Sequence, residues 1–368
     1  MTSQGIITTK RNCILVSDRQ STMPDGKTYG GFEKIFELSR IHSAGLMFNG
    51  NADFEDVPFE TLIRRFKIKT NFNRFSTIEE IKNEFIRFLS ENTEHSSSQE
   101  FIRNNLKTFK KELKQEFNEY GFEKTIKLKQ KRDLPPFVKS FPNIDTEFQN
   151  IIPDGKNMKE HNRVLWEIFS HYIQYEGTGI IMAGFNLKSN YPSFIEINIY
   201  CNDDGKIIYE IIDSAVDCKD PFIKVFAINE EAYTFITGVS DEFLDYLTQY
   251  IDDANNLIID NLKWNLEKES IENSDKIIEI VEKLQTEEYI NMSEDIDNYR
   301  LDAIKDTSFS IDNLPEWLLC IFAELLIRLT AIKQKTSSDI ESVSIDTDIL
   351  ILSKTNSFKW IKNYERIV

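Results

Sequence analysis

Cysteine and histidine are scarce in this sequence, and neither has the spacing of a metal site. The 368 residues contain four cysteines, without a C-x-x-C pair, and four histidines. Cys13 and Cys320 fall in apolar runs, which is typical of reduced, buried thiols in a cytoplasmic protein. We therefore expect no metal, no cofactor and no disulfide framework, and we predict a cytoplasmic location.

The sequence also lacks a long hydrophobic run and an excess of positive charge. Its longest apolar stretch, residues 317–329, is interrupted by Glu324 and Arg328, and the first residues show no secretory pattern. Against 61 Asp and Glu there are only 44 Lys and Arg, which gives a formal net charge of −17. Nucleic acids and anionic membranes bind basic surfaces, so we expect neither as a partner.

Thr2 is the most informative residue that is present. It follows Met1, and a small second residue allows that methionine to be removed. The hydroxyl and the free α-amine would then belong to one residue, and an amine with a pKa of about 7.7–8.0 can accept the hydroxyl proton. Asp18 follows Thr2 by sixteen residues, and Lys34 follows Asp18 by sixteen more. This pattern predicts a nucleophile site.

Thr2, the run 18–22 (Asp-Arg-Gln-Ser-Thr) and Lys34 resemble the start of proteasome β subunits and of the bacterial peptidase HslV. In that family, an N-terminal Thr, an Asp and a Lys stand at these intervals. The segment 44–54 is similar to the family's small-residue turn between a strand and the first helix.

The resemblance implies an α+β fold, the four-layer α-β-β-α sandwich of N-terminal nucleophile (Ntn) hydrolases. The order of strand-rich and helix-rich segments favours two stacked sheets between two helical layers. We expect one domain over residues 1–368, with a helical insertion at 76–160 and an acidic insertion at 268–313. A helix should open at Asn51, and residues 233–240 should form a strand.

The activity implied by the resemblance is that of a threonine endopeptidase. The Thr2 hydroxyl would attack a peptide carbonyl, with the α-amine as the base. Lys34 would place a positive charge beside the amine and favour its neutral form. Asp18 would hold Lys34 in place and keep it charged.

Three further site residues are implied by the same resemblance. The backbone N–H of Asn49 would donate to the oxyanion, although the family usually has glycine there. Asp339 and Ser342 have the spacing of an Asp and a Ser that support the threonine amine. The glycine pair that the family has before its last strand is absent here.

Two other functions stay open. One is an Ntn amidohydrolase that acts on a small amide, and the other is a catalytically silent assembly subunit like the proteasome α subunits. The α subunits carry a helix before the first strand, whereas the first strand here starts at Gly5. The Lys34 spacing favours the peptidase over the small-amide enzyme.

The expected partners are a peptide or protein substrate and further copies of the chain in a homo-oligomeric ring. An unfoldase or another protein is an additional candidate. We expect the apolar face of the first helix, from Phe54 to Phe66, to contribute to the ring contacts. The basic stretch 124–132 could dock an acidic partner, although we favour a packing role for the insertion that contains it.

Overall fold

The structure is a computed structural model of the chain, and its fold is mixed α/β with antiparallel sheets. It describes residues 2–22, 27–96, 98–122, 126, 148, 151–152, 158–269, 271, 273–337, 341–355 and 357–362. Asp339 and nearly all of the basic stretch 124–132 therefore lie outside the described residues. Among the helices that are described, none has the length and apolar character needed to cross a membrane.

The first sheet combines the first strands of the chain with the last described ones. Its strands are β1 (Ser3–Thr8), β2 (Asn12–Asp18), β12 (Phe222–Ala227), β13 (Thr347–Ser353) and β14 (Ser357–Lys362). The order is β12-β1-β2-β13-β14, and every neighbouring pair is antiparallel. Gln4 pairs with Ser17, and Thr347 pairs with Asp18. The start of β1 therefore lies beside the end of β2.

The second sheet is built from the middle of the chain. Its strands are β5 (Ile35–Ser39), β6 (Ala44–Asn49), β9 (Thr178–Phe185), β10 (Pro192–Asp203) and β11 (Lys206–Ala215). The order is β11-β10-β9-β6-β5, again antiparallel throughout. Two short hairpins complete the strands: β3 (Ser21–Thr22) with β4 (Thr28–Tyr29), and β7 (Asp53–Phe54) with β8 (Val57–Pro58).

Eight α-helices lie within the described residues. They are α1 (Phe59–Lys69), α2 (Ile78–Asn92), α3 (Ser98–Tyr120), α4 (Met158–Glu176), α5 (Glu230–Thr237), α6 (Asp241–Lys268), α7 (Ser274–Ile311) and α8 (Glu316–Thr336). A short 3-10 helix spans Phe72–Arg74. The start of α2 is fixed by a capping box, in which Thr77 Oγ1 accepts from the Glu80 N–H and the Glu80 carboxylate accepts from the Thr77 N–H.

A hydrophobic cluster joins the two sheets. Cys13 and Leu15 of β2 pack in it with Met47 and Ile181 of the second sheet. Ile14 and Val16 of β2 belong to a second cluster with α5 and α8, because successive side chains of a strand point to opposite faces. Burial on both faces accounts for the continuous apolar run in β2.

The second sheet is covered on its other face by α1 and α2. Phe59, Phe66 and Phe85 are fully buried there against strand residues such as Ile180 and Met182. A separate cluster, centred on Trp166 and Phe169, joins α3 and α4 to β10. The predicted ring contact from Phe54 to Phe66 is wrong for this reason: Phe54, Phe59, Leu62, Ile63 and Phe66 are all buried in the chain's own core.

Two predicted elements need correction. The first helix begins at Phe59 instead of Asn51, because the hairpin β7–β8 occupies the intervening residues. Residues 230–237 form α5, whereas a strand was expected at 233–240. The acidic segment 268–313 is mostly α7, a helix of 38 residues.

Candidate active site

The pairing of β1 with β2 places Thr2 next to Asp18. Thr2 directly precedes β1 and is 5% exposed, and its hydroxyl donates to Asp18 Oδ1. The Ser3 N–H donates to the same oxygen at 3.1 Å. The two residues that are sixteen positions apart in sequence are therefore in direct contact.

Lys34 reaches Thr2 from the second sheet. It directly precedes β5, and its Nζ lies 2.5 Å from Thr2 Oγ1 and 2.8 Å from Asp18 Oδ1. The Nζ also donates to the Gln20 carbonyl. Burial lowers the pKa of Lys34 from its ordinary value, while the charge and hydrogen bond of Asp18 oppose this shift. A lysine with a lowered pKa can supply a neutral amine that accepts a proton.

Asp18 connects the residues of this group through hydrogen bonds. Its carboxylate accepts hydrogen bonds from five donors: the Thr2 hydroxyl, the Ser3 N–H, Lys34 Nζ, the Gln20 N–H and the Ser344 N–H. Since a buried carboxylate is stable only when it is paired and hydrogen-bonded, these donors hold Asp18 in one orientation. Oδ1 accepts from the Thr2 hydroxyl, Lys34 Nζ and the Ser3 N–H, and Oδ2 accepts from the Gln20 and Ser344 N–H groups.

The loop after α8 reaches the site through Ser344 instead of Ser342. The Ser344 N–H donates to Asp18 Oδ2 at 3.3 Å. Ser342 is buried, but Gln334 engages it: its N–H donates to Gln334 Oε1 at 2.9 Å, and its hydroxyl accepts from Gln334 Nε2 at 3.0 Å. Ser342 therefore lies in the loop and is bonded to Gln334 of α8, two residues before the N–H that contacts Asp18.

Asn49 lies in the wall of the cavity that Thr2 opens onto. Its side-chain Nδ2 donates to Gln4 Oε1 at 3.4 Å, and its amide packs on Gly179 of β9. Gly50 follows with φ +91°, and a Cβ at this position would lie 2.7 Å from the Gly177 carbonyl oxygen. Only glycine fits this turn, so the backbone around Asn49 is tightly set. The oxyanion role of the Asn49 N–H stays a prediction.

The cavity beside Thr2 has a volume of about 560 Å³. Its wall comprises Thr2, Gln20, Ser21, Thr22, Phe32, Lys34, Phe48, Asn49, Gly50, Asn51, Ala52 and Asp53. An adjoining cavity of about 480 Å³ shares Asn51 and Asp53 and continues towards Glu55 and Glu176. A partly apolar cleft with a few polar groups has the size and character of a small-molecule or short-peptide site.

A second buried ion pair supports the site from outside the cavity. Arg19 Nη1 lies 3.1 Å from Asp348 Oδ1, and Arg19 Nη2 donates to the Gly31 carbonyl at 3.2 Å. The pair connects the end of β2 to β13 and to the segment before Lys34. Sequence reasoning missed Arg19, Asp348 and Ser344, since nothing local in the sequence links positions more than 300 residues apart.

Metal chemistry has no evident site in the described part of the chain. Within the described ranges, no group of three or more His, Cys, Asp or Glu side chains is arranged to hold a metal ion. The chemistry available at the cavity is that of a hydroxyl, an amine and a carboxylate.

Comparison with known proteins corrects the predicted family. No family model matches the chain, and no curated protein does. Similar solved structures include a mutant of Anbu from Hyphomicrobium sp. strain MC1, at 9% identity and a TM-score of 0.39. The match covers 99% of this chain and 89% of the Anbu chain. Anbu (ancestral beta-subunit) from Yersinia bercovieri has 9% identity and a TM-score of 0.38, with coverages of 98% and 88%.

The assignment to proteasome β subunits and HslV is therefore wrong at the family level. The two structures named above are Anbu proteins, which belong to a distinct family with a proteasome-like fold. Their TM-scores are too low to transfer any function, so the chemistry of this chain has to be argued from its own residues.

Proposed function

We propose that this chain hydrolyses amide bonds with Thr2 as an N-terminal nucleophile, acting on a small amide or a short peptide. The observation that carries the proposal is the 2.5 Å contact between Thr2 Oγ1 and Lys34 Nζ at the wall of a cavity. The hydrophobic clusters between and outside the two sheets support an Ntn-hydrolase sandwich of four layers.

The first chemical step is attack of Thr2 Oγ1 on the substrate carbonyl carbon. Two groups can accept the hydroxyl proton. One is the α-amine of Thr2, which is free only once Met1 has been removed. The other is Lys34, whose pKa is lowered by burial. The proton then passes to the leaving amine as the C–N bond breaks, which leaves an ester on Thr2.

Water completes the reaction by attacking that ester. The acid is released and the Thr2 hydroxyl is restored, so no other co-reactant is needed. Developing charge on the carbonyl oxygen would be stabilised by backbone N–H donors in the cavity wall, and the Asn49 N–H is the proposed donor. A donor of this kind typically contributes about 3–4 kcal/mol to transition-state stabilisation.

A covalent label and intact mass spectrometry test the proposal directly. The mature protein should lack Met1. A β-lactone that acylates N-terminal threonine should increase the mass of each chain by the mass of one reagent molecule, and peptide mapping should locate the label on Thr2. Fluorogenic amides of increasing length would define the substrate. Active protein that retains Met1 would exclude the α-amine as the base, and absence of both labelling and turnover would overturn the proposal.

A catalytically silent assembly subunit is the second candidate. It is favoured by the state of Thr2 itself, which is nearly inaccessible and already donates its hydroxyl to Asp18. An apolar stripe on the outer face of α8, formed by Trp317, Ile321, Leu325 and Ile332, is exposed and offers a contact to further copies. We propose that this stripe, rather than the first helix, supports a homo-oligomer.

A further inference from the structure

Helices α6 and α7 form an antiparallel hairpin that lies outside the Thr2 cavity. Ion pairs mark its two ends: Lys263–Glu282 at 3.7 Å near the turn, and Arg300–Asp241 at 2.7 Å at the other end. Only Ile259 and Leu266 of α6 are buried, although the helix has 28 residues. The other apolar side chains of α6 are therefore at least partly exposed.

A groove with an apolar floor runs between the two helices. It consists of two adjoining cavities, of about 440 and 390 Å³, which share Glu288 and Met292. Residues at helical intervals supply the floor: Phe243, Leu247 and Ile251 from α6, and Leu284, Met292 and Tyr299 from α7. Phe243 is 55% exposed and Tyr299 is 59% exposed. Exposed apolar side chains that line one groove are a candidate interaction site.

The negative charge around the groove favours a cationic partner. Helices α6 and α7 contain 17 acidic and 6 basic residues, so this hairpin carries a formal net charge of −11, against −17 for the whole chain. Glu288 and Asp295 line the groove itself. Docking the same face of a second copy would bring like charges together, which opposes self-association here. A cationic partner would instead be attracted to these carboxylates.

We propose that this groove binds a basic amphipathic helix of a partner protein. Such a helix would place apolar side chains on Phe243, Leu247 and Met292, and Lys or Arg side chains beside Glu288 and Asp295. Binding of an amphipathic helix in an apolar groove is a recurring mode of peptide recognition, with anchors at i, i+3, i+4 and i+7. The proposal is independent of amide hydrolysis, because no groove residue lines the Thr2 cavity.

The test uses three fluorescein-labelled 18-residue peptides and fluorescence anisotropy. The first peptide has leucine on one helical face and lysine on the other, the second replaces every lysine with glutamate, and the third scrambles the first. The full chain carries Thr2→Ala, so that hydrolysis cannot consume the probe. We expect the leucine–lysine peptide to bind at least about tenfold more tightly than either control, and its affinity to fall with added salt.

Paired charge reversals separate the groove from the overall charge of the hairpin. The double variant Glu288→Lys, Asp295→Lys should weaken binding by about tenfold or more. One exposed ion pair contributes little, but the double variant replaces two attractions to the peptide with two repulsions. Glu279→Lys with Asp297→Lys changes the net charge equally on the opposite face of α7, and should change affinity less than about threefold.

Three outcomes would overturn the proposal. Equal losses in both double variants, or equal binding of the scrambled peptide, would show that only the general negative charge attracts the probe. A change in oligomeric state by light scattering in the Glu288→Lys, Asp295→Lys variant would show instead that the groove is an interface between copies of this chain.

Discussion

Lys34 Nζ lies 2.5 Å from Thr2 Oγ1, although the two residues belong to segments that lead into different sheets. Thr2 leads into β1 and Lys34 leads into β5, so the contact forms only when the two sheets are stacked. The shared bond to Asp18 fixes both side chains at once. This arrangement of three side chains depends on the whole fold and not on one local motif.

Thr2→Ala should lower the rate of amide hydrolysis by at least about 10³-fold, because the substitution removes the nucleophile. Thr2→Ser should keep measurable turnover, since it preserves a hydroxyl. Initial rates on fluorogenic amides and a thermal melt would measure both effects. Wild-type rates for Thr2→Ala would show that another group performs the attack.

Lys34→Arg should lose about 10²–10⁴-fold in rate, the usual contribution of a positioned proton-transfer group. The guanidinium keeps the charge but remains protonated, and its planar shape does not reproduce the bonds of an ammonium. Turnover of Lys34→Arg close to that of the unsubstituted protein would mean that Lys34 supplies only positive charge.

The pH profile should report the lowered pKa of Lys34. Only the neutral amine accepts a proton, so kcat/KM should rise with pH and level off below the ordinary lysine value of 10.5. The Asp18 carboxylate raises the pKa of Lys34, and Asp18→Asn should therefore shift the rising limb to lower pH. The unfolded chain binds this proton more tightly than the folded chain, so Lys34 makes the free energy of unfolding increase with pH in the same window.

Asp348→Asn is the matched control for Asp18→Asn. It removes a buried carboxylate from Arg19 and should lower stability, but it leaves the pKa of Lys34 and hence the rising limb in place. Equal shifts of the limb in both variants would show that the effect comes from loosening of the sheet.

Gly50→Ala should destabilise the protein more than Gly121→Ala. Both glycines have positive φ, +91° and +82°, so each substitution incurs backbone strain of about 1–2 kcal/mol. A Cβ at Gly50 also meets the Gly177 carbonyl oxygen at 2.7 Å, whereas a Cβ at Gly121 has open space. Chemical denaturation would compare the two, and equal losses would contradict the tight packing beside the Thr2 cavity.

Ile321→Asp should weaken self-association, because it places a charge in the exposed stripe of α8. Ile321 is 52% exposed, so the monomer should retain its stability. Ile68→Asp is the control, since Ile68 is 84% exposed on α1 and away from the stripe. Light scattering at micromolar concentration should show dissociation of the first variant only. A strictly monomeric unsubstituted protein would contradict the proposed homo-oligomer.

The sequence allowed the proximity of three residues in the candidate site to be predicted, because the signals are short-range. Thr2, Asp18 and Lys34 fall within 34 residues, and two strands joined by a tight turn bring the first pair together. Ser344 and Asp348 could not be placed, since their contacts with Asp18 and Arg19 span 326 and 329 residues.

Helix α5 shows why local preference misled at another point. Tyr233, Phe235 and Ile236 are residues that favour strands. The segment nevertheless packs as a helix against α8, and it ends at Gly238 with φ +75°, a left-handed helix cap. Tertiary packing outweighed propensity, as it commonly does for short segments.

The position of Thr2 also sets an order of events during synthesis. The site closes only when Asp348 and Ser344 arrive, at the far end of the chain from Thr2. In the folded protein Thr2 is 5% exposed, so an aminopeptidase has little access to the bond before it. We therefore expect any removal of Met1 to take place on the growing chain, while β1 still lacks the partner strands that are translated later.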